Sequence, residues 1–96
     1  MTTTTEVLST AADLIERDGL HKEWLWEDPR GWDPTVHCKR CAIGALTAAG
    51  EPRGGAAWYA LRELIGPSVS GWNDASERTQ AEVVAKLREA AASCET

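Results

Sequence analysis

Cys38 and Cys41 are the residues best suited to chemistry, two thiols three positions apart. His37 precedes them, and Lys39 and Arg40 lie between them. Asp33-Pro34 reads as an N-cap followed by proline at the first helical position, which predicts a helix from about residue 34; a start nearer His37 is the alternative. In either register Cys38 and Cys41 share a helix face, as do His37 and Cys41. The free N–H groups of a helix start favour thiolate, and Lys39 and Arg40 add positive charge.

Three chemistries fit these residue types. A zinc site would take His37, Cys38 and Cys41, with His21 or Cys94 as a fourth ligand. Structural zinc sites usually combine two separated ligand pairs, and only one pair is clear here. His37 and Cys38, being adjacent, also point about 100° apart on a helix. A thiol redox site has the right C-x-x-C spacing but lacks the preceding β-strand of a thioredoxin-like motif. A cysteine nucleophile would need His37 or His21 as base and Asn73 or Asp74 to orient it. Against all three stands packing: free cysteine behaves as a small buried hydrophobe. Cys41 runs straight into Ala42-Ile43-Gly44-Ala45-Leu46, and Cys94 falls on an apolar helix face. Cys38 is expected nearer solvent. No catalytic residue is assigned, and His21, His37, Cys38 and Cys41 are the candidate metal ligands.

The other conspicuous residues are aromatic. The chain has five Trp, one Tyr and no Phe. Trp24, Trp26 and Trp32 crowd a segment with Pro29, Gly31 and Pro34. Such a cluster usually folds onto the core, yet five tryptophans exceed what so small a core requires. Trp24, Trp26 and Trp32 are therefore the candidate binding residues, since an exposed one would anchor an interface. Trp72-Asn73-Asp74 could bind a ligand. The turn reading has Trp72 filling the core, Asn73 and Asp74 bonding nearby backbone as an Asx-turn, and Asp74 pairing with Arg78.

Four helices would position these groups. Thr3 and Glu6 form a capping box, starting a helix near residue 4, and Val7, Leu8, Ala11, Leu14 and Ile15 make its apolar stripe. Gly19 ends it, with Leu20 as the accompanying apolar contact. Residues 20–36 are irregular: Asp28-Pro29-Arg30-Gly31 reads as a type I turn, and Trp24-Leu25-Trp26 as an extended piece leading into it, in a short hairpin or an ordered loop. The second helix is apolar nearly all round from Cys41 to Ala49, which marks it as central. Gly50 and Pro52 end it, and Arg53-Gly54-Gly55 is a flexible connection. Ala57, Trp58, Leu61, Leu64 and Ile65 define a third helix, stopped by Gly66-Pro67. Residues 68–76 read as a polar linker. Thr79 and Glu82 form a second capping box, opening a fourth helix with Ala81, Val84, Leu87, Ala91 and Cys94 on one face and Glu82–Lys86 paired on the other.

Composition bounds the rest. Ninety-six residues, 43% hydrophobic and 26% charged, fit a single ordinary globular domain over 1–96. Net charge is −5, from 15 acidic and 10 basic residues, which disfavours nucleic acid and anionic membrane as partners. No apolar run is long enough to span a bilayer, and the first residues lack a signal-peptide pattern. A cytoplasmic protein is the expectation, its three cysteines free thiols or metal ligands and not disulfides.

Cys41-Ala42-Ile43-Gly44-Ala45-Leu46, then Trp72-Asn73-Asp74, Arg78-Thr79 and Glu82-Val83, resemble an uncharacterised family of small proteins from actinobacteria and their phages. The likeness runs over about residues 5–92. It implies a small, mainly helical domain and no established activity. His37 and Cys38 lie outside the recognised pattern. The expected architecture is thus all-α, a compact bundle of four helices with a Trp-rich irregular segment between the first two. The expected function is a non-enzymatic protein-interaction module with an unidentified protein partner, such as a phage accessory protein acting on a host factor. The competing expectation is a small zinc-binding or cysteine-dependent protein built on His37, Cys38 and Cys41.

Overall fold

The computed structural model describes residues 3–51 and 55–94. Five helices occupy the described residues: α1 (Thr4–Asp18), α2 (Ala42–Ala48), α3 (Ala56–Ile65), α4 (Val69–Asp74) and α5 (Gln80–Ser93). The all-α expectation holds, but the expected four helices become five, because the supposed linker contains α4. Pro52, Arg53 and Gly54, read as a break and a flexible connection, lie outside the described residues.

Helix α1 forms where the capping box places it. The Thr3 hydroxyl accepts the Glu6 N–H at 3.1 Å, and Val7, Leu8, Ala11, Leu14 and Ile15 are buried as their spacing requires. Gly19 ends the helix at φ 109°, a conformation that side-chain-bearing residues rarely adopt. Helix α5 is the main neighbour of α1, followed by α2. It opens on the Thr79–Glu82 capping box, with bonds in both directions. Its buried face is Val83, Leu87, Ala90 and Ala91, so the predicted stripe is displaced: Ala81 is exposed and Val84 only half-buried. Lys86 pairs with Glu89, not Glu82, which pairs with Arg78. Helix α3 buries Ala57 and Leu61 and lays Trp58, Leu64 and Ile65 against the core.

The second helix departs most from expectation. It begins at Ala42 instead of near residue 34 or His37. The reason is Arg40, which is completely buried. Its Nε donates to the Gly31 carbonyl, Nη1 to Asp18 Oδ2 and the Cys38 carbonyl, and Nη2 to the Asp33 and Val36 carbonyls. A helix through 34–41 would turn the Asp33, Val36 and Cys38 carbonyls away along its own axis. The chain instead wraps around the guanidinium in successive turns. The Gly31 N–H donates to the Asp28 carbonyl, as the type I turn predicts, and the Val36 N–H to the Asp33 carbonyl. Asp33 accepts from the backbone and hydroxyl of Thr35, so it caps a turn and not a helix.

The loop is closed by short backbone pairings. Glu27 N–H meets the Lys39 carbonyl, Cys41 N–H the Leu25 carbonyl, and Arg40 N–H the Gly19 carbonyl. These amount to isolated bridges of Arg40 with Leu20 and Trp26, short of a regular hairpin. The Leu25 carbonyl lies so close to α2 that a Cβ on Gly44 would overlap it. Gly44 is therefore demanded by close backbone approach, not by a turn.

Two expectations follow. Gly44→Ala should raise helix propensity by about 1 kcal/mol yet destabilise the protein by about 2 kcal/mol or more, because the Leu25 carbonyl must move. Urea denaturation should show a lowered midpoint; an unchanged or raised one would refute this packing. The second concerns Asp18. Burial opposes its ionisation, but hydrogen bonds from Arg17 and His37, the Arg17 charge and the Arg40 hydrogen bond outweigh that and hold its pKa at about 2. Stability from this depressed carboxyl is present above its ordinary pKa of 3.8 and lost as pH falls through about 2. It amounts to about 2 kcal/mol. Stability measured from pH 5 to pH 2, in steps of about one unit, should fall more steeply for the native chain than for Asp18→Asn. Equal slopes would show that Asp18 is not held ionised.

Candidate functional site

The residues singled out for chemistry do not converge. His37 is exposed and turned to Asp18, its Nδ1 2.9 Å from Oδ1. Cys38, expected nearer solvent, is only 5% exposed. Its carbonyl is one of the acceptors around Arg40. Cys41 is 7% exposed and serves as the N-cap of α2, its Sγ accepting the Gly44 N–H at 3.2 Å. Since 38–41 are not helical, the shared helix face and the thiolate-favouring helix start foreseen for Cys38 are not formed. Arg40 is spent on loop carbonyls and Asp18. Burial pushes the Cys41 thiol up, and the Asp74 charge adds to this against hydrogen bonds from Gly44 and Ile43. All three cysteines are free thiols. Among the described residues, no three His, Cys, Asp or Glu side chains are grouped to hold a metal ion.

Asn73 organises the adjoining region. It is 1% exposed, and its Oδ1 accepts the Ala42 N–H at the start of α2. Its Nδ2 donates to the His21 carbonyl and to Asp74 Oδ1. Asp74 Oδ1 also accepts the Glu23 N–H at 2.9 Å, and Lys22 Nζ donates to the Ala75 carbonyl at 2.6 Å. The expected backbone bonds of Asn73 and Asp74 thus exist, but they reach the 21–23 segment and α2 instead of forming a local Asx-turn. Asp74 does not pair with Arg78; that guanidinium lies 4.3 Å from the centroid of the Trp72 ring and donates to the Trp72 carbonyl. Glu23 is held at φ 72°, the described non-glycine residue with a left-handed backbone.

The consequence of this stapling is a pocket of about 210 Å³. Glu23, Trp24 and Leu25 line one side, Cys41 and Ile43 another, and Ser70, Asn73 and Asp74 the third. Trp24 is 67% exposed. Trp32, at 58% exposed, lies outside the pocket lining, and Trp26 is half-buried against Gly31. Of the candidate binding residues, Trp24 alone therefore joins the pocket. Cys41, Asn73 and Asp74 do meet there, as a nucleophile site would require. No histidine lines the pocket, and burial together with the Asp74 charge disfavours thiolate at Cys41. Glu23 and Ser70 had no local signal in the sequence, and Leu25 and Ile43 were legible only as parts of an extended piece and an apolar helix. They converge only because Asn73 draws three segments together.

Fold and site define a small all-α protein with a mostly apolar pocket lined in part by an exposed tryptophan and two acidic residues. The sequence matches the profile of a family of unknown function, DUF6197, over residues 1–93, and the chain belongs to that family. No curated protein and no solved structure matches it.

The thiols should report this arrangement directly. A disulfide reagent added to the native protein should modify half-exposed Cys94 first and leave Cys38 and Cys41 slower by roughly two orders of magnitude, with full reaction on unfolding. Rapid modification of Cys41 in the native state would mean a thiolate at an open site.

Proposed function

We propose that this protein is a non-enzymatic interaction module whose contact face is the Trp24 pocket, and that its partner is a protein. The observation supporting this is the exposure of Trp24 on a segment locked to α4. Aromatic anchors on rigid surfaces typically supply interface hot spots. Glu23 N–H, the His21 carbonyl and Lys22 Nζ are all bonded to 73–75, so the Trp24 backbone is ordered before any partner arrives. Such pre-organisation lowers the entropic cost of association. The net charge of −5 argues against phosphate backbones as the partner. No described helix is long and apolar enough to cross a membrane. If the actinobacterial and phage setting implied by the sequence resemblance applies, the partner is a host factor met in the cytoplasm.

The test is retention from an actinobacterial lysate on immobilised protein. The native chain should retain a discrete protein that Trp24→Ala releases by about tenfold or more, while both forms unfold at the same urea concentration. Retention of nothing, or equal retention by both, would refute the proposal.

A further inference from the structure

The pocket carries an unspent charge pattern that specifies what should enter it. Its lining is largely apolar, from Trp24, Leu25, Cys41 and Ile43, and two acidic residues, Glu23 and Asp74, also line it. Asp74 is fixed in orientation because Oδ1 accepts two hydrogen bonds, from Glu23 N–H and Asn73 Nδ2. Its Oδ2, and the whole Glu23 carboxylate, make no hydrogen bond or ion pair with the described residues. Lys22, next to Glu23 in the chain, donates to the Ala75 carbonyl and pairs with neither. Two acids at an apolar wall, in no ion pair with the described residues, are complementary to a positive group on an aliphatic stem. The exposed Trp24 indole adds an electron-rich face.

The dimensions point the same way. A volume of about 210 Å³ is below the roughly 300–1,000 Å³ typical of drug-sized ligand sites. It suits a single long side chain. Arginine is favoured over other such chains because its planar guanidinium can stack on an indole while donating edge-on to carboxylates. The chain already uses this arrangement internally, with Arg78 over Trp72 and its Nη1 on Glu82.

We propose that the Glu23–Trp24–Asp74 pocket receives an arginine side chain presented by the partner polypeptide, with the guanidinium between the two carboxylates and Trp24 and the aliphatic stem against Leu25 and Ile43. This rests on the interaction reading above and names the chemistry of its partner.

The probe is acetyl-Ala-Leu-Arg-Leu-Ala-amide, titrated into isotopically labelled protein and followed by amide and indole shifts. Its control replaces arginine by citrulline, which keeps shape and loses charge. The arginine peptide should shift residues 23–25, 43, 70 and 73–74. Citrulline should weaken binding by about tenfold, and Glu23→Gln and Trp24→Ala by about threefold each. Added salt should weaken the arginine peptide alone. Glu23→Gln changes an exposed side chain, so folding is retained and checked by the unperturbed shifts of α1 and α5. Equal binding of the citrulline peptide would overturn the arginine assignment while leaving the interaction module standing. Absence of pocket shifts up to about 10 mM peptide would also overturn it; partner retention that still depends on Trp24 would then show that the module binds by other chemistry.

Discussion

Arg40 is the residue on which the irregular segment between α1 and α2 depends. A guanidinium has five N–H donors in a planar fork. Here its nitrogens meet five acceptors: four loop carbonyls and the Asp18 carboxylate. Burying a charge costs several kcal/mol unless it is paired and its hydrogen bonds are filled. Both conditions are met, and they are met only when residues 31–38 curl around the group. The loop therefore has one arrangement that satisfies the cation, and alternatives strand it. Lysine has three donors and no planar fork, so it could not hold the same set of carbonyls. Asp18 is the necessary counterpart. A carboxylate in the last turn of a helix faces the negative end of the dipole. It is tolerated because Arg17, Arg40 and His37 surround it.

Asn73 does for the other side of the loop what Arg40 does for its interior. One amide reaches the start of α2, the 21–23 segment and the neighbouring Asp74. The residues of the sequence pattern then fall into a single structural account. Cys41 caps α2, Ala42 offers its N–H to Asn73, and Gly44 admits the Leu25 carbonyl. Trp72 is covered by Arg78, Thr79 and Glu82 cap α5, and Val83 fills the core. The pattern describes how the Trp-rich loop is clamped between α2 and α4, which explains why its pieces are far apart in sequence.

Helices governed by local rules were legible before the structure. The two threonine–glutamate boxes mark the starts of α1 and α5, and apolar spacing marks α1 and α3. What could not be read were the elements whose shape is set by distant polar partners. Asp33-Pro34 has the chemistry of a helix start, but the demand of Arg40 for carbonyls overrides it. Residues 68–76 look like a linker because Ser68, Gly71, Asn73 and Asp74 are turn formers. Yet the Ser68 hydroxyl accepts the Gly71 N–H, and Asn73 is rewarded by buried partners, so a short helix forms. The site was legible to the same degree. Surplus tryptophan singled out Trp24, Trp26 and Trp32, of which Trp24 lines the pocket, whereas Glu23 and Ser70 carry no signal until three segments are brought together.

The residues that looked most reactive are therefore the ones most committed to structure. His37 and Arg40 hold Asp18, Cys38 contributes a carbonyl to Arg40, and Cys41 caps a helix with its sulfur. This allocation leaves the 23–25 segment as the part of the loop with an exposed aromatic side chain between fixed backbone. The Leu25 carbonyl is gripped by the Cys41 N–H and confined by Gly44, and Glu23 N–H is gripped by Asp74. Trp24 stands between these two fixed points. A buried tryptophan would have supplied more apolar burial at this position. The chain instead constrains the backbone on both sides of the residue, including an unfavourable left-handed Glu23, and leaves the indole in solvent near two acids that form no ion pair with the described residues. Backbone strain of this kind persists only where the surroundings over-determine it. Around Trp24 those surroundings are the hydrogen bonds that shape the pocket, so the same network that orders the loop also pre-forms the face it presents.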